Sequence, residues 1–243
     1  NGDNADDRLP SKDRRVMSRY ADKEYWEERY GYDPEPFDWF QRFSTCSAFR
    51  EAIRENVHRS DQILIVGAGT SRLAEEMYND GYSNVFNVDV SQAACKLLDE
   101  RYERLGGLPI DNRCEDVRSL DFNDGSFDVV IDKGTLDALL CANTASGEAM
   151  LAEVSRVLRQ AGGLFVHVTD CTPDKRLPLI QNKSKYSWGL LKRHRIAPPL
   201  KANYSAIATP APATSTSSAM QTEKDEECHH VYVMKRFPPV LPS

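Results

Sequence analysis

Ile63 to Val66 is a run of four apolar residues, three of them β-branched, that ends on Gly67-Ala68-Gly69. A stretch so short and so uniformly apolar reads as a strand buried on both faces, the kind found in parallel sheets covered by helices. The glycines let the chain turn sharply and let a ligand approach the main chain. Thr70 and Ser71 are both competent to cap a helix expected over 70–80. A second strand, Val85 to Asp89, ends on a carboxylate 22 positions beyond Gly67. In a strand-helix-strand unit that spacing brings Asp89 beside the glycine turn, within reach of ribose hydroxyls. Dinucleotide sites carry a third glycine for close helix packing under a pyrophosphate, and here Arg72 stands in its place. The pattern therefore favours an adenosine ligand without a pyrophosphate, and S-adenosylmethionine fits.

Alternation of strand and helix continues along the chain. Strands are expected at 63–66, 85–89, 109–114, Phe127 to Asp132 and Leu164 to Thr169, with helices over 70–80, 91–104, 135–141 and 147–160. The last of these helices carries Leu151, Val154, Val157 and Leu158 at helical spacing and is stopped by Gly162-Gly163. Upstream, residues 22–57 read as helical, broken near Asp33-Pro34-Glu35-Pro36. At the other end, Tyr186 to His194 and His229 to Phe237 read as two strands with no helix between them. The expected fold is α/β: a seven-stranded Rossmann-like sheet of five parallel strands plus a C-terminal antiparallel hairpin, with helices on both faces. That is the architecture of class I methyltransferases. Residues 1–21 are expected to be a disordered segment and 22–243 a single domain with a flexible, Ala/Pro/Ser/Thr-rich insert over about 196–226.

Bulk properties bound the function from outside. At 243 residues, 40% hydrophobic and 28% charged, the chain has an ordinary globular composition, and no apolar run is long enough to span a bilayer. No secretory leader is visible, which points to the cytoplasm. Six cysteines without a C-x-x-C pair are expected as reduced thiols. Cys228-His229-His230 alternate across a strand and do not converge on one ion, so no metal site is expected. A net charge of −6 argues against a general nucleic-acid binder, although Thr172 to Lys201 holds eight Lys or Arg against one acid. That stretch is a solvated surface or a docking face for an acidic protein or RNA.

Several blocks resemble one family: EYWEERY (24–30), FDWFQRFS (37–44), ILIVGAGTSRLAEEMYNDGY (63–82), NVDVS (87–91), CEDVRSLDF (114–122), SFDVVIDKGTLDALL (126–140), EVSRVLRQAGG (153–163) and HHVYVMK (229–235). They are similar to the eukaryotic methyltransferase-like proteins that act on lysines of translation elongation factor 1-alpha, from about Asp22 to Phe237. The resemblance implies an S-adenosylmethionine-dependent protein-lysine N-methyltransferase, and a cytoplasmic monomer is expected. It places cofactor contacts at Trp26, Tyr30, Trp39, Gly67, Gly69, Asp89, Val90, Asp116, Val117 and Lys133. Asp89 would accept the ribose hydroxyls and Asp116 the adenine amino group, with Val117 as an apolar wall. Trp26, Tyr30 and Trp39 would fold over the sulfonium with their ring faces. Departures from the family lie in the loop, which reads GAGTS instead of GCGNS, and in a short connection between Leu140 and Glu148.

Asp132 is the candidate to orient the acceptor amine or relay its proton. Tyr186 and Trp188 are candidates to wall the substrate channel, with strand packing as the alternative for both. An RNA or small-molecule methyltransferase on the same fold and a non-catalytic cofactor-binding module stand as the rival functions.

Overall fold

The computed structural model describes residues 19–198 and 228–238. A 3-10 turn, Arg19–Ala21, leads into α1 (Lys23–Tyr32), then an irregular strap to α2 (Ser47–Arg54). The alternating part follows as β1 (Ile63–Val66), α3 (Leu73–Asn79), β2 (Val85–Asp89), α4 (Gln92–Arg104), β3 (Asp111–Cys114) and β4 (Val129–Lys133). It continues through α5 (Thr135–Leu140), α6 (Thr144–Val157), β5 (Leu164–Thr169), α7 (Pro173–Ile180), α8 (Lys183–Tyr186), β6 (Trp188–Ile196) and β7 (His229–Arg236).

One seven-stranded sheet runs in the order β3-β2-β1-β4-β5-β7-β6. The first five strands are parallel; β7 pairs antiparallel with β5 and β6 antiparallel with β7. Every residue of β1, β4 and β5 is buried. Because side chains alternate across a strand, each central strand feeds two cores. Ile63, Ile65, Val129, Ile131 and Val166 meet Phe49, Ile53, Leu73, Met77 and Leu98 from α2, α3 and α4. Leu64, Val66, Val130 and Phe165 meet Leu136, Met150, Leu151, Val154 and Ile180 from α5, α6 and α7 on the other face.

Two topological consequences matter for the site. From β1 the chain winds outward through β2 and β3, then returns to the far side of β1 as β4, so the strand order reverses at the β1/β4 boundary. Ligands bind such sheets outside the carboxyl ends of the strands at that switch point. The expected hairpin is present, and it closes the β5 edge of the parallel part.

The structure also moves several boundaries. Tyr20, expected within a disordered segment, is buried in the 3-10 turn. Ile196, expected to begin the flexible insert, is buried at the end of β6; residues 199–227 of that insert and 1–18 of the leading segment lie outside the described residues. Residues 33–46 form no helix, since prolines at 34 and 36 exclude helical geometry before each of them. Tyr186 closes a short helix instead of opening β6, and Ser187 follows at φ +54, in the left-handed region.

The basic stretch is divided among α7, α8 and β6, and much of it is already engaged. Arg176 pairs with Asp137, Lys185 with Glu148 at 2.8 Å, and Lys192 with Glu55. Among the described residues no helix is long and apolar enough to cross a membrane.

Candidate cofactor and acceptor cavity

A cavity of about 230 Å³ opens over the carboxyl ends of β1, β2 and β4, at the switch point. Its floor is the glycine turn. Gly67 has φ +63 and Gly69 φ +52, both left-handed, a conformation that other residues rarely adopt. The space a side chain would need is taken: a Cβ on Gly67 would lie 1.9 Å from Thr135 Oγ1, and one on Gly69 2.5 Å from the Tyr30 hydroxyl. These glycines therefore serve packing by α5 and α1 as much as any ligand. Thr135 is held there by donating its hydroxyl to Val66 O at 3.0 Å.

Asp89 closes the turn from β2. Its carboxylate accepts the Gly69 amide at 2.8 Å and the Ser91 amide at 2.9 Å. Burial pushes this carboxyl above the usual aspartate range, and the amides of Ser91 and Gly69 only partly offset that. Ser91 does two further things. Its Oγ accepts from Ala94 N at 3.2 Å, capping α4, and donates to Glu27 Oε2 at 2.6 Å. Glu27 also accepts the Ala93 amide at 3.1 Å, so the N-terminus of α4 holds α1 in place. α1 in turn presents Trp26 and Tyr30, stacked with centroids 5.7 Å apart, toward the cavity. Burial, then the charge of Asp89, pushes the Tyr30 phenol well up.

The strap between α1 and α2 supplies the remaining aromatic wall, Phe37, Trp39 and Phe40. Thr70 and Ser71, expected as caps of α3, both fasten this strap; the Ser71 hydroxyl also accepts the Leu73 amide at 3.1 Å where α3 begins, while Arg72 in the cap position makes no side-chain cap. The Thr70 hydroxyl accepts the Phe37 amide and donates to Glu35 O, each at 3.2 Å, while the Ser71 hydroxyl donates to Asp38. Lys133, at the end of β4, donates to Asp38 Oδ1 at 3.1 Å and to Trp39 O at 3.0 Å. The strap is thus bolted to both the glycine turn and β4. One sign of that constraint is Phe40, an aromatic residue at φ +58.

On the β3 side, Asp116 and Val117 line the cavity beside Val90. The Asp116 carboxylate accepts the Arg118 guanidinium at 2.9 and 2.6 Å. Burial raises this carboxyl, but the Arg118 side-chain and amide hydrogen bonds more than offset it and leave it below the usual range. All ten residues expected to contact a cofactor, Trp26, Tyr30, Trp39, Gly67, Gly69, Asp89, Val90, Asp116, Val117 and Lys133, line this one cavity.

The other candidates do not reach it. Asp132 is fully buried, accepts Thr135 N at 2.8 Å and Leu136 N at 3.3 Å, and pairs with His167 Nδ1 at 2.6 Å. It organises the start of α5 from inside the sheet and has no face on the cavity, which corrects the expected amine-orienting role. Tyr186 and Trp188 are also core residues. Trp188 donates to Ile180 O at 2.7 Å and stacks on Phe165 at 5.3 Å, so neither walls a channel. Sequence reasoning missed Tyr20, Asp137 and Asp170, which do line the cavity. Asp137 sits inside the SFDVVIDKGTLDALL block, and its place in the first turn of α5, just past the end of β4, is the signal the sequence offers.

Comparison with known proteins follows the same lines. Residues 64–166, which span β1 to β5, match the family described as a methyltransferase domain. Mouse EEF1A lysine methyltransferase 4 is 36% identical over 184 residues, 71% of this chain and 69% of that protein. The bovine protein of the same name is 37% identical over 183 residues, 70% of this chain and 69% of that protein. Among solved structures, a geranyl diphosphate methyltransferase in complex with SAM superposes with a TM-score of 0.58 at 17% identity, covering 78% of this chain and 85% of that one, which speaks to the fold alone. With a methyltransferase-domain match across the site-bearing strands and more than a third of the aligned residues identical to each of two relatives that it covers to 69%, this chain belongs to the EEF1A lysine methyltransferase 4 family of class I methyltransferases.

Proposed function

We propose that this chain binds S-adenosylmethionine in the β1/β4 cavity and methylates lysine side chains of translation elongation factor 1-alpha. One observation carries the reading: the glycine turn, buried Asp89 and the aromatic wall of Trp26, Tyr30 and Trp39 converge on a single cavity at the switch point, in a chain whose relatives are named for that activity.

The residues fit the cofactor. Asp89 offers a buried carboxylate that two backbone amides fix in orientation, suited to a pair of ribose hydroxyls. Asp116 and Val117 suit an adenine edge and face, and the left-handed backbone of Gly67 and Gly69 leaves main-chain polar groups near the amino-acid part. Aromatic faces from α1 and the strap suit a sulfonium cation. When bound, the cofactor supplies an electrophilic methyl group; the protein supplies position and dryness.

A lysine amine has an ordinary pKa of about 10.4 and must shed a proton before it can attack. A bound sulfonium beside it would lower that pKa by disfavouring a second positive charge. In this reading the protein acts as a cytoplasmic monomer on a protein acceptor and not on nucleic acid. Incubation with labelled S-adenosylmethionine and eukaryotic lysate tests it: label on lysine in a band of the elongation factor's size supports it, and label confined to RNA or small molecules rejects it.

A further inference from the structure

The cavity has two halves. Residues suited to the cofactor occupy the side over β1, β2 and β3. The same cavity continues over β4 and β5, where Gly134, Thr135, Asp137, Ala138, Cys141 and Asp170 line it. That second half is where an acceptor must enter if the first is filled.

Its charge is one-sided. The two cations that line the cavity, Arg118 and Lys133, are both committed, to Asp116 and to Asp38. Asp137 Oδ1 takes the Thr169 hydroxyl at 2.7 Å and the Arg176 guanidinium at 2.5 Å, while Asp137 Oδ2 is buried with no donor among the described residues. Asp170 lies one residue past the end of β5, exposed to solvent at the cavity lip. Its turn is fixed from both sides. Cys171 N donates to Thr169 Oγ1 at 3.0 Å and the Tyr232 hydroxyl donates to Cys171 O at 3.1 Å.

The wall nearby is aromatic. Thr169 pairs with His230, which sets His229 opposite Asp170, and Phe40 packs on the His229 ring with centroids 5.3 Å apart. Tyr20 and Trp39 are 6.3 Å apart, edge to face, and both line the cavity. An aromatic wall beside a carboxylate that, at the cavity lip, has no hydrogen-bond or ion-pair partner among the described residues matches a long alkyl chain tipped by a cation.

We infer that Asp170 receives the ε-ammonium of the target lysine, with Asp137 as its buried neighbour and Phe40, Trp39 and Tyr20 along the aliphatic stem. The inference rests on the lysine reading above. The nitrogen arrives as an ammonium, releases one proton to solvent beside the exposed Asp170 carboxylate, and forms a bond to the methyl carbon with the freed pair. The carbon–sulfur bond breaks as that bond forms, its pair staying on sulfur, and the nitrogen ends as a methylammonium. Positive charge therefore grows on nitrogen during transfer, and a fixed carboxylate beside it favours that change.

The test compares wild type, Asp170→Asn, Asp170→Glu and Asp137→Asn with purified elongation factor 1-alpha as acceptor and calorimetric titration of S-adenosylmethionine. Losing a charge-assisted hydrogen bond predicts a fall in kcat/KM for the protein acceptor of roughly ten- to a hundredfold in Asp170→Asn. Asp170→Glu should recover part of it, and cofactor affinity should stay at the wild-type value in both, which also reports that they are folded. Asp137→Asn should give a smaller loss of the same kind. Wild-type turnover on lysine with an unchanged Asp170→Asn variant overturns the inference and leaves the lysine reading intact. Wild-type methylation of an uncharged acceptor overturns both, and the identity of the modified group tells the two failures apart.

Discussion

Cutting the bolt between Lys133 and Asp38 should release the strap without unfolding the domain. Both side chains are nearly buried, at 5% and 12% exposed, and Lys133 also holds Trp39 O. Breaking one half of a buried ion pair costs about 3–5 kcal/mol when the partner is left with nothing. Asp38 is not left so: the Ser71 hydroxyl and the Arg72 amide still donate to it. The loss should therefore be nearer that of one charge-assisted hydrogen bond, about 1.5–3 kcal/mol. Because the strap supplies Trp39 and Phe40 to the cavity while its core anchor, Phe43, lies beyond the bolt and keeps its packing on Phe49, that cost should appear in ligand affinity. Calorimetric titration of S-adenosylmethionine should show roughly ten- to a hundredfold weaker binding for Lys133→Met and for Asp38→Asn. The double variant should be no worse than the worse single one, the signature of one shared interaction. Burial raises the Asp38 carboxyl, but Lys133 and Ser71 more than offset it and hold it below the usual range. A depressed carboxyl contributes stability above its ordinary pKa of about 3.9 and loses it as pH falls through the folded value. The effect should hence be flat from neutral pH down to mildly acidic pH. A Lys133→Met variant that loses affinity beside an Asp38→Asn variant that keeps it would refute the bolt: Lys133 would then act on the cofactor alone.

Three other outcomes follow from the same contacts. Asp132→Ala removes a buried acceptor from two amides and His167, so the thermal midpoint should drop by an amount matching about 3–5 kcal/mol, with cofactor affinity of the folded fraction kept; unchanged melting with lost turnover would restore a catalytic role to Asp132. Ionising Asp89 costs the free protein stability as pH rises through its raised pKa, and ligand hydroxyls recover that cost. Cofactor affinity should accordingly climb with pH through a midpoint above the ordinary aspartate value and then level off, and a profile flat down to pH about 4 contradicts the assignment. Trp188→Ala should cost about 3–5 kcal/mol of stability and leave acceptor KM alone, whereas a raised KM in a protein of wild-type stability would return Trp188 to the channel.

Much of this was legible because it was written locally. β1, β2 and β5 are short, mostly apolar runs bounded in the sequence by the glycine turn after β1, by Asp89 at the end of β2 and by the Gly-Gly before β5, and the structure keeps those boundaries. The ten residues expected at the cofactor follow from motif resemblance; seven of them sit at or just past the carboxyl ends of β1 to β4, and Trp26, Tyr30 and Trp39 are brought over the same ends by α1 and the strap. What stayed hidden depends on contacts between distant segments. Thr70 and Ser71 have the chemistry of caps, and only the position of the strap, more than thirty residues upstream, turns their hydroxyls toward Glu35, Phe37 and Asp38. Asp132 and Lys133 are adjacent at the end of β4, and strand alternation sends one into the core toward His167 and the other toward the strap. A strand expected from Tyr186 made Trp188 seem to face a channel; the short helix α8 before it instead turns both rings into the α6–α7 core. Asp170, a single acid after an apolar run, carries no signal until β7 brings His229, on which Phe40 packs, opposite it.

Tandem mass spectrometry of elongation factor 1-alpha, before and after incubation with this protein and S-adenosylmethionine, tests the central claim most directly. The account predicts added methyl groups on lysine side chains that disappear when Asp89→Ala replaces the wild type. Unmodified lysines in the presence of demonstrated cofactor binding, or undiminished methylation by the Asp89→Ala variant, would contradict it.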